Sequence, residues 1–276
     1  MSAAPSRDTS LPLPFWQAAR GVFDLSLDGM VWSRRSLMMA LLLGLPLVFA
    51  LLYRGIVMSG LPSHLHTIGG WDLYGLLVAF YYVRNVLPLV ALFYATSLIA
   101  DEVEGRTITY LLTRPLKRGS ILVGKFGAYL ATTLTLTLPP LLLTFFVLAA
   151  DGGVRGLAAR VPDLLRDMGV SALTLLAYGA LFTLMGVLLR RPVIPGLLFL
   201  FIWELVANLP GYMPRFTLTA YLRSLLAHRP PSEGFAEIFG QKLPALLCLE
   251  TLSVIVLVLL AAAAWVFSAR EYVLEQ

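Results

Sequence analysis

Three sets of residues have types and spacings that bear on chemistry. Gly119-Ser-Ile-Leu-Val-Gly124-Lys125 satisfies G-x-x-x-x-G-K, the pattern of a loop whose backbone N–H groups cradle phosphates while its lysine reaches the outermost one. Phe126 stands where a Ser or Thr would hold Mg²⁺, no buried strand precedes the match, and Ile121, Leu122 and Val123 favour lipid over phosphate. The match is therefore read as a decoy. His64-x-His66, near Met58, has a spacing that holds a metal in an extended segment, but neither Cys nor carboxylate accompanies it before Asp72; solvated loop histidines are expected, and no metal site. Arg84, Glu204 and Glu250 each interrupt an apolar run. A charge near the centre of a bilayer costs at least ~3 kcal/mol, so an intramembrane ion pair is expected, with Arg84 close to Glu204 or Glu250. The same three residues are candidates for a gate or a substrate contact.

No catalytic constellation emerges. His228 has no evident partner in the sequence, and no Ser/His/Asp or Glu/His arrangement suggests an intramembrane hydrolase. Cys248 is alone in an apolar run, which excludes a disulfide framework and a cysteine-rich metal site. Thr132, Thr133, Thr135 and Thr137 share one apolar run, where threonines bond back to their own helix or to a neighbour. The chain is thus expected not to be an enzyme.

The elements that position these residues follow from composition. Apolar residues make up 58% of the 276, charged residues only 13%, and the mean hydropathy is +0.81. A soluble domain carries about a quarter charged residues because water must solvate its surface. This surface faces lipid. The net charge of +5 is spread through short gaps between apolar runs, with no basic stripe, so nucleic acid is not an expected partner.

Six runs stand out: about 37–52, 73–100, 126–150, 169–189, 193–209 and 243–268. At 1.5 Å per residue these cross ~30 Å of hydrocarbon as helices, the fifth marginally. Period-2 alternation, the mark of a barrel strand, is absent from them. Pro46, Pro88, Pro139, Pro140 and Pro195 predict kinks. Arg34 and Arg35 precede the first run after about thirty mostly polar or amphipathic residues, too long a start for a secretory signal, so the segment is expected in the mature protein. The cations nearest the span ends (Arg34, Arg35, Arg106, Arg114, Lys117, Arg118, Lys125, Arg190, Arg191 and Arg270) favour both termini in the cytoplasm.

Between the spans, Phe15, Ala19, Val22, Phe23, Leu27 and Met30 recur at helical spacing, with Gln17, Arg20, Asp24 and Asp28 opposite. This predicts an interfacial helix over Phe15–Val31. The organisation expected is a tail with this helix over 1–35 and a six-span domain over 36–276. The outer gap 210–242 predicts short helices from its apolar clusters. The inner gap between spans two and three starts with Asp101, Glu102 and Glu104, acid suited to a helix N-terminus. Ile108, Leu111 and Leu112 have helix-compatible spacing, Pro115 stops the helix, and Lys117, Arg118 and Lys125 are expected to anchor the chain at the headgroups. The apolar residues of this short helix need a cover.

Here the sequence resembles the membrane subunits of ABC transporters of the type-2 permease class, the type V exporter fold. The matching residues are Ile99, Glu102, Glu104, Gly105, Thr107, Ile108, Leu111, Leu112, Pro115, Arg118, Ile121, Leu122, Gly124 and Lys125. Arg106 intervenes where many members have Gly directly before Thr. The layout of entry helix, six spans and outer excursion is similar too. The resemblance implies an all-α permease in the bacterial inner membrane that dimerises with itself or a paralogue and works as an exporter. It implies two copies of a cytosolic ABC ATPase that bind ATP and Mg²⁺, this chain holding no cofactor. It further implies that Glu102, Glu104, Arg106, Thr107, Ile108, Leu111, Leu112, Arg114 and Pro115 form the helix that couples to the ATPase. The alternative, an ATPase-independent secondary transporter or channel, predicts midplane charges and internal symmetry, and neither is evident.

Overall fold

The computed structural model describes residues 15–31, 33–60, 69–104, 118–150, 153–189, 191–207, 213–228 and 243–269. Among them there are helices and no strand. The helices are α1 (Phe15–Val31), α2 (Arg34–Ser59), α3 (Gly70–Leu76), α4 (Leu87–Glu104), α5 (Arg118–Ala149), α6 (Gly153–Leu188), α7 (Val193–Ala207), α8 (Leu218–Leu225) and α9 (Ala245–Ala269). Five described stretches are long and apolar enough to cross a membrane: α2, the Gly70–Leu98 stretch through α3 and α4, α5, α6 and α9. The fifth expected span is α7, whose 15 residues reach only ~22 Å. This is an all-α membrane protein.

Helix α1 has the bounds its apolar periodicity predicts. It buries Ala18, Ala19 and Val22 and leaves Trp16 and Arg20 exposed. Its buried face packs on α5, and glycine makes this possible. A Cβ at Gly124 would collide with the Ala19 carbonyl oxygen, so the two backbones touch where any side chain would hold them apart. Helix α2 begins at an N-cap, where Ser33 accepts from the Ser36 amide at 3.2 Å.

α3 and α4 are joined by a π-helical turn over Leu77–Val86, which carries Arg84 and Asn85. Pro88 follows one residue later, as the second residue of α4. It has no N–H for the Arg84 carbonyl and its ring crowds that carbonyl, so the wider winding relieves a clash that regular α geometry would impose. The helices run through Pro46, Pro139 and Pro140 without a break. Tyrosines tie the bundle together: Tyr81 donates to the Leu42 carbonyl at 2.7 Å, Tyr82 to that of Leu43 at 2.8 Å, and Tyr129 to that of Leu175 at 2.8 Å. Thr133 and Thr135 bond back to Tyr129 and Ala131, as expected of membrane threonines, whereas the hydroxyls of Thr132 and Thr137 are buried with no hydrogen-bond partner among the described residues.

Helix α6 departs from expectation. It spans 36 residues and starts at Gly153, well before the apolar run at 169. Its first half carries Arg155, Arg160, Asp163, Arg166 and Asp167, which lower the local hydropathy without ending the helix. Short helices are present between α7 and α9, as a 3₁₀ turn at Met213–Phe216 and as α8. Thr217 caps α8 by accepting from the Ala220 amide at 3.3 Å.

Candidate functional site

Two regions concentrate polar chemistry, one at each end of the bundle. At the end where α4 stops and α5 starts, Lys125 is buried. Its Nζ donates to the Leu98 carbonyl at 2.9 Å. This corrects the expectation that Lys125 anchors at the headgroups: α1 lies across α5 beside Gly124, so the ammonium turns to the neighbouring span. Gly119–Lys125 is also helical, inside α5, and forms no loop that encloses a phosphate. A little deeper, Ser36 and Tyr94 share a hydrogen bond at 2.6 Å between α2 and α4. On the opposite side of α4, Gly186 of α6 lies beneath the Thr96 carbonyl; a Cβ there would sit 2.9 Å from that oxygen. The ends of α4 and α5 are thereby held in a packed frame.

The segment between them is the expected coupling element. Glu102 and Glu104 close the α4 backbone, but their side chains, and Arg106, Thr107, Ile108, Leu111, Leu112, Arg114 and Pro115, lie outside the described residues. His64 and His66 lie outside them too. An open, mainly apolar groove beside this frame is lined by Trp16, Gln17, Ala19, Arg20, Phe23, Val123 and Gly124.

The intramembrane charges are separated in the sequence and carried by different helices. Arg84, on the π-helical turn, holds its guanidinium 5.2 Å from the centroid of the Phe80 ring. Asn85 donates from Nδ2 to the Phe80 carbonyl at 2.7 Å, across the widened turn. Glu250 is exposed on α9, and Glu204 belongs to α7 with its side chain outside the described residues.

At the opposite end, the structure supplies what the sequence did not disclose. His228, just after α8, lies with Nε2 3.0 Å from Oδ2 of Asp167 on α6. Asp167 is fully buried and the imidazole is 9% exposed. Trp71, Tyr74 and Phe145 enclose the pair: the Trp71 and Tyr74 rings meet the imidazole edge-on at 4.5 and 5.3 Å, and Phe145 meets both aromatics. Gly75 is required here, because a Cβ would fall 2.7 Å from Cβ of His228. Arg160 covers the Trp71 ring at 4.6 Å. Arg166 donates from Nε to the Leu225 carbonyl at 2.6 Å, and Tyr178 and Thr219 share a hydrogen bond at 2.9 Å. The one available signal was the i, i+4 series Asp163, Asp167, Ser171, which sets three polar residues on one face of a membrane helix.

Among the described residues no group of three His, Cys, Asp or Glu is placed to hold a metal. Comparison with known proteins adds one positive finding. A family model described as "ABC-2 family transporter protein" matches residues 73–272, well over half of the chain. No curated protein matches it. The match starts in the second span, so α1 and α2 precede it, and it takes in Lys125, Asp167 and His228, while Ser36 and Trp71 lie before it.

Proposed function

The chain belongs to the ABC-2 transporter family as a multi-pass permease component, and we propose that it couples ATP hydrolysis by a separate cytosolic ATPase to export across a bacterial inner membrane. The observation that carries this reading is the frame around residues 105–117. Lys125 on α5 bonds to Leu98 on α4, Gly124 seats α1, and Gly186 seats α6. A load applied to a segment anchored at both ends by such contacts moves spans, because packed interiors transmit displacement instead of absorbing it. Ile108, Leu111 and Leu112 in that segment supply the apolar surface for an ATPase groove, and Glu102, Glu104, Arg106, Thr107, Arg114 and Pro115 complete the coupling element.

Two permease chains and two ATPase subunits make the working complex. Closure of the ATPases on ATP and Mg²⁺ drives both 105–117 segments and reopens the path between the permeases on the outer side, with both termini of each in the cytoplasm. Arg84, Glu204 and Glu250 form the intramembrane ion pair or gate along that path. The experiment is reconstitution in proteoliposomes with and without a cognate cytosolic ABC ATPase subunit. Mg²⁺-dependent ATP turnover is expected only when the ATPase is present, and is raised severalfold by the permease. Turnover that follows this chain alone through purification contradicts the reading.

A further inference from the structure

We propose that Asp167, Ser171 and Tyr74 form a site for a small monovalent metal cation, enclosed between the second span, α6 and residues 213–228.

The observation that carries this is a cluster of buried polar atoms that the protein itself leaves unsatisfied. Both carboxyl oxygens of Asp167, the hydroxyls of Ser171 and Tyr74, and Nε2 of His228 are buried with no hydrogen-bond partner among the described residues. Protein interiors rarely keep such groups without partners, and several in one place mark a position where a guest supplies the missing contacts. The groups do lie in one place. Asp167 and Ser171 are one turn apart on the same face of α6. The Tyr74 hydroxyl faces Asp167, and His228 closes over the carboxyl group with Nε2 3.0 Å from Oδ2. Trp71 and Phe145 surround the cluster with apolar surface.

The chemistry of the guest follows from the donors. A buried carboxylate calls for positive charge. Among the described residues no lysine or arginine supplies it: Arg160 lies over the Trp71 ring and donates to the Ala149 carbonyl at 3.4 Å, and Arg166 donates to the Leu225 carbonyl. Water would complete the hydrogen bonds and leave the charge, whereas a metal cation answers both needs. One carboxylate and two hydroxyls are oxygen donors, the kind a hard cation takes. A single carboxylate balances one positive charge, and no group of three His, Cys, Asp or Glu is placed among the described residues to serve a divalent or transition metal. An approach is present too. Asp163 is half-buried one turn before Asp167, so Asp163, Asp167 and Ser171 lead along one face of α6 from an accessible edge to the buried cluster.

The position gives the site a consequence. Tyr74, Asp167 and His228 come from three parts of the chain that are distant in sequence, and a cation held among them stabilises their packing by mass action.

The test uses the full chain purified in detergent, with choline chloride replacing sodium chloride at constant ionic strength, choline being too large for an enclosed site. Raising sodium from about 1 to about 150 mM is expected to lift the midpoint of thermal unfolding by about 3 °C or more. Asp167→Asn is expected to abolish that response. Ser171→Ala, a milder change that keeps the carboxylate, is expected to need severalfold more sodium for the same rise. Radioactive sodium is expected to bind the intact chain saturably, at about one ion per protein, and to be displaced by unlabelled sodium but not by choline. Equal midpoints in sodium and choline, or the absence of saturable sodium binding, overturns the proposal on the intact chain alone. A sodium response that both variants retain unchanged places the ion elsewhere and overturns it as well.

Discussion

Lys125 shows what a single side chain can and cannot disclose in advance. Its identity and its place after Gly124 were readable, but they suggested a headgroup contact or a phosphate ligand. Its actual partner is a backbone oxygen in another helix, placed there because glycine brings α1 down onto α5 and leaves the ammonium no short route to water. A hydrogen bond from a charged donor contributes about 1.5–3 kcal/mol when buried. Lys125→Met keeps most of the stem and loses that bond, so thermal unfolding in a fixed detergent is expected at a lower temperature, with residues 98–104 exchanging amide hydrogens faster. An unchanged midpoint would show that the Leu98 contact carries no stability. Gly75 makes the matching case at the other end. Gly75→Ala must displace His228, and overpacking of this kind costs about 1–3 kcal/mol. Loss of protection across α8, with the far helices unaffected, is the expected signature in hydrogen exchange. The Asp167–His228 contact escaped notice because its partners are 61 positions apart, and nothing local in either segment points to the other.

Among the elements, periodicity was a good guide wherever one face meets lipid and the other meets protein. Helix α1 was legible in its bounds, because its apolar positions recur at helical spacing even though Trp16 and Leu25 stand exposed. Hydropathy placed five of the six expected spans on helices long enough to cross a membrane, left the fifth as the short α7, and misjudged where α6 begins. It registers the part of a helix that lipid surrounds, whereas backbone hydrogen bonding carries α6 on through the charged turns from Gly153. The π-helical turn was not legible either: Pro88 announces a disturbance, and whether it is met by a kink, a break or a wider winding depends on how the neighbouring helices pack. The joint between α1 and α5 can be tested by substitution. Gly124→Leu pushes against the Ala19 carbonyl and Val22, so α1 is expected to lift from the bundle and become accessible to protease, while α5 still inserts. A variant with α1 as resistant as before would mean that the two backbones have room to separate without undocking.

At the scale of the whole molecule, much of the outer surface of the bundle is apolar. Only 17% of the most apolar stretch of α9 is buried, and α2 presents Leu37, Met38, Leu41, Leu45 and Leu52 outward. Lipid covers such surfaces at no cost, so their exposure identifies the solvent of the protein and leaves its partners to be found by other means. The family was legible from one segment, the motif between spans two and three, whose residue types and not merely its hydrophobicity carry the resemblance. The family match over residues 73–272 agrees with that recognition. The central claim, that residues 102–115 dock on a cytosolic ATPase, is tested most directly by Leu111→Asp. Wild type and variant are compared, from the same membrane preparation, for co-purification with the ATPase and for stimulation of its ATP hydrolysis. No span is altered, so the variant is expected to insert and dimerise normally, yet a desolvated charge without a partner at the contact should weaken docking by about 2 kcal/mol or more, roughly thirtyfold. Retention and stimulation lost together are the predicted result; a variant that binds and stimulates the ATPase as well as wild type contradicts the account.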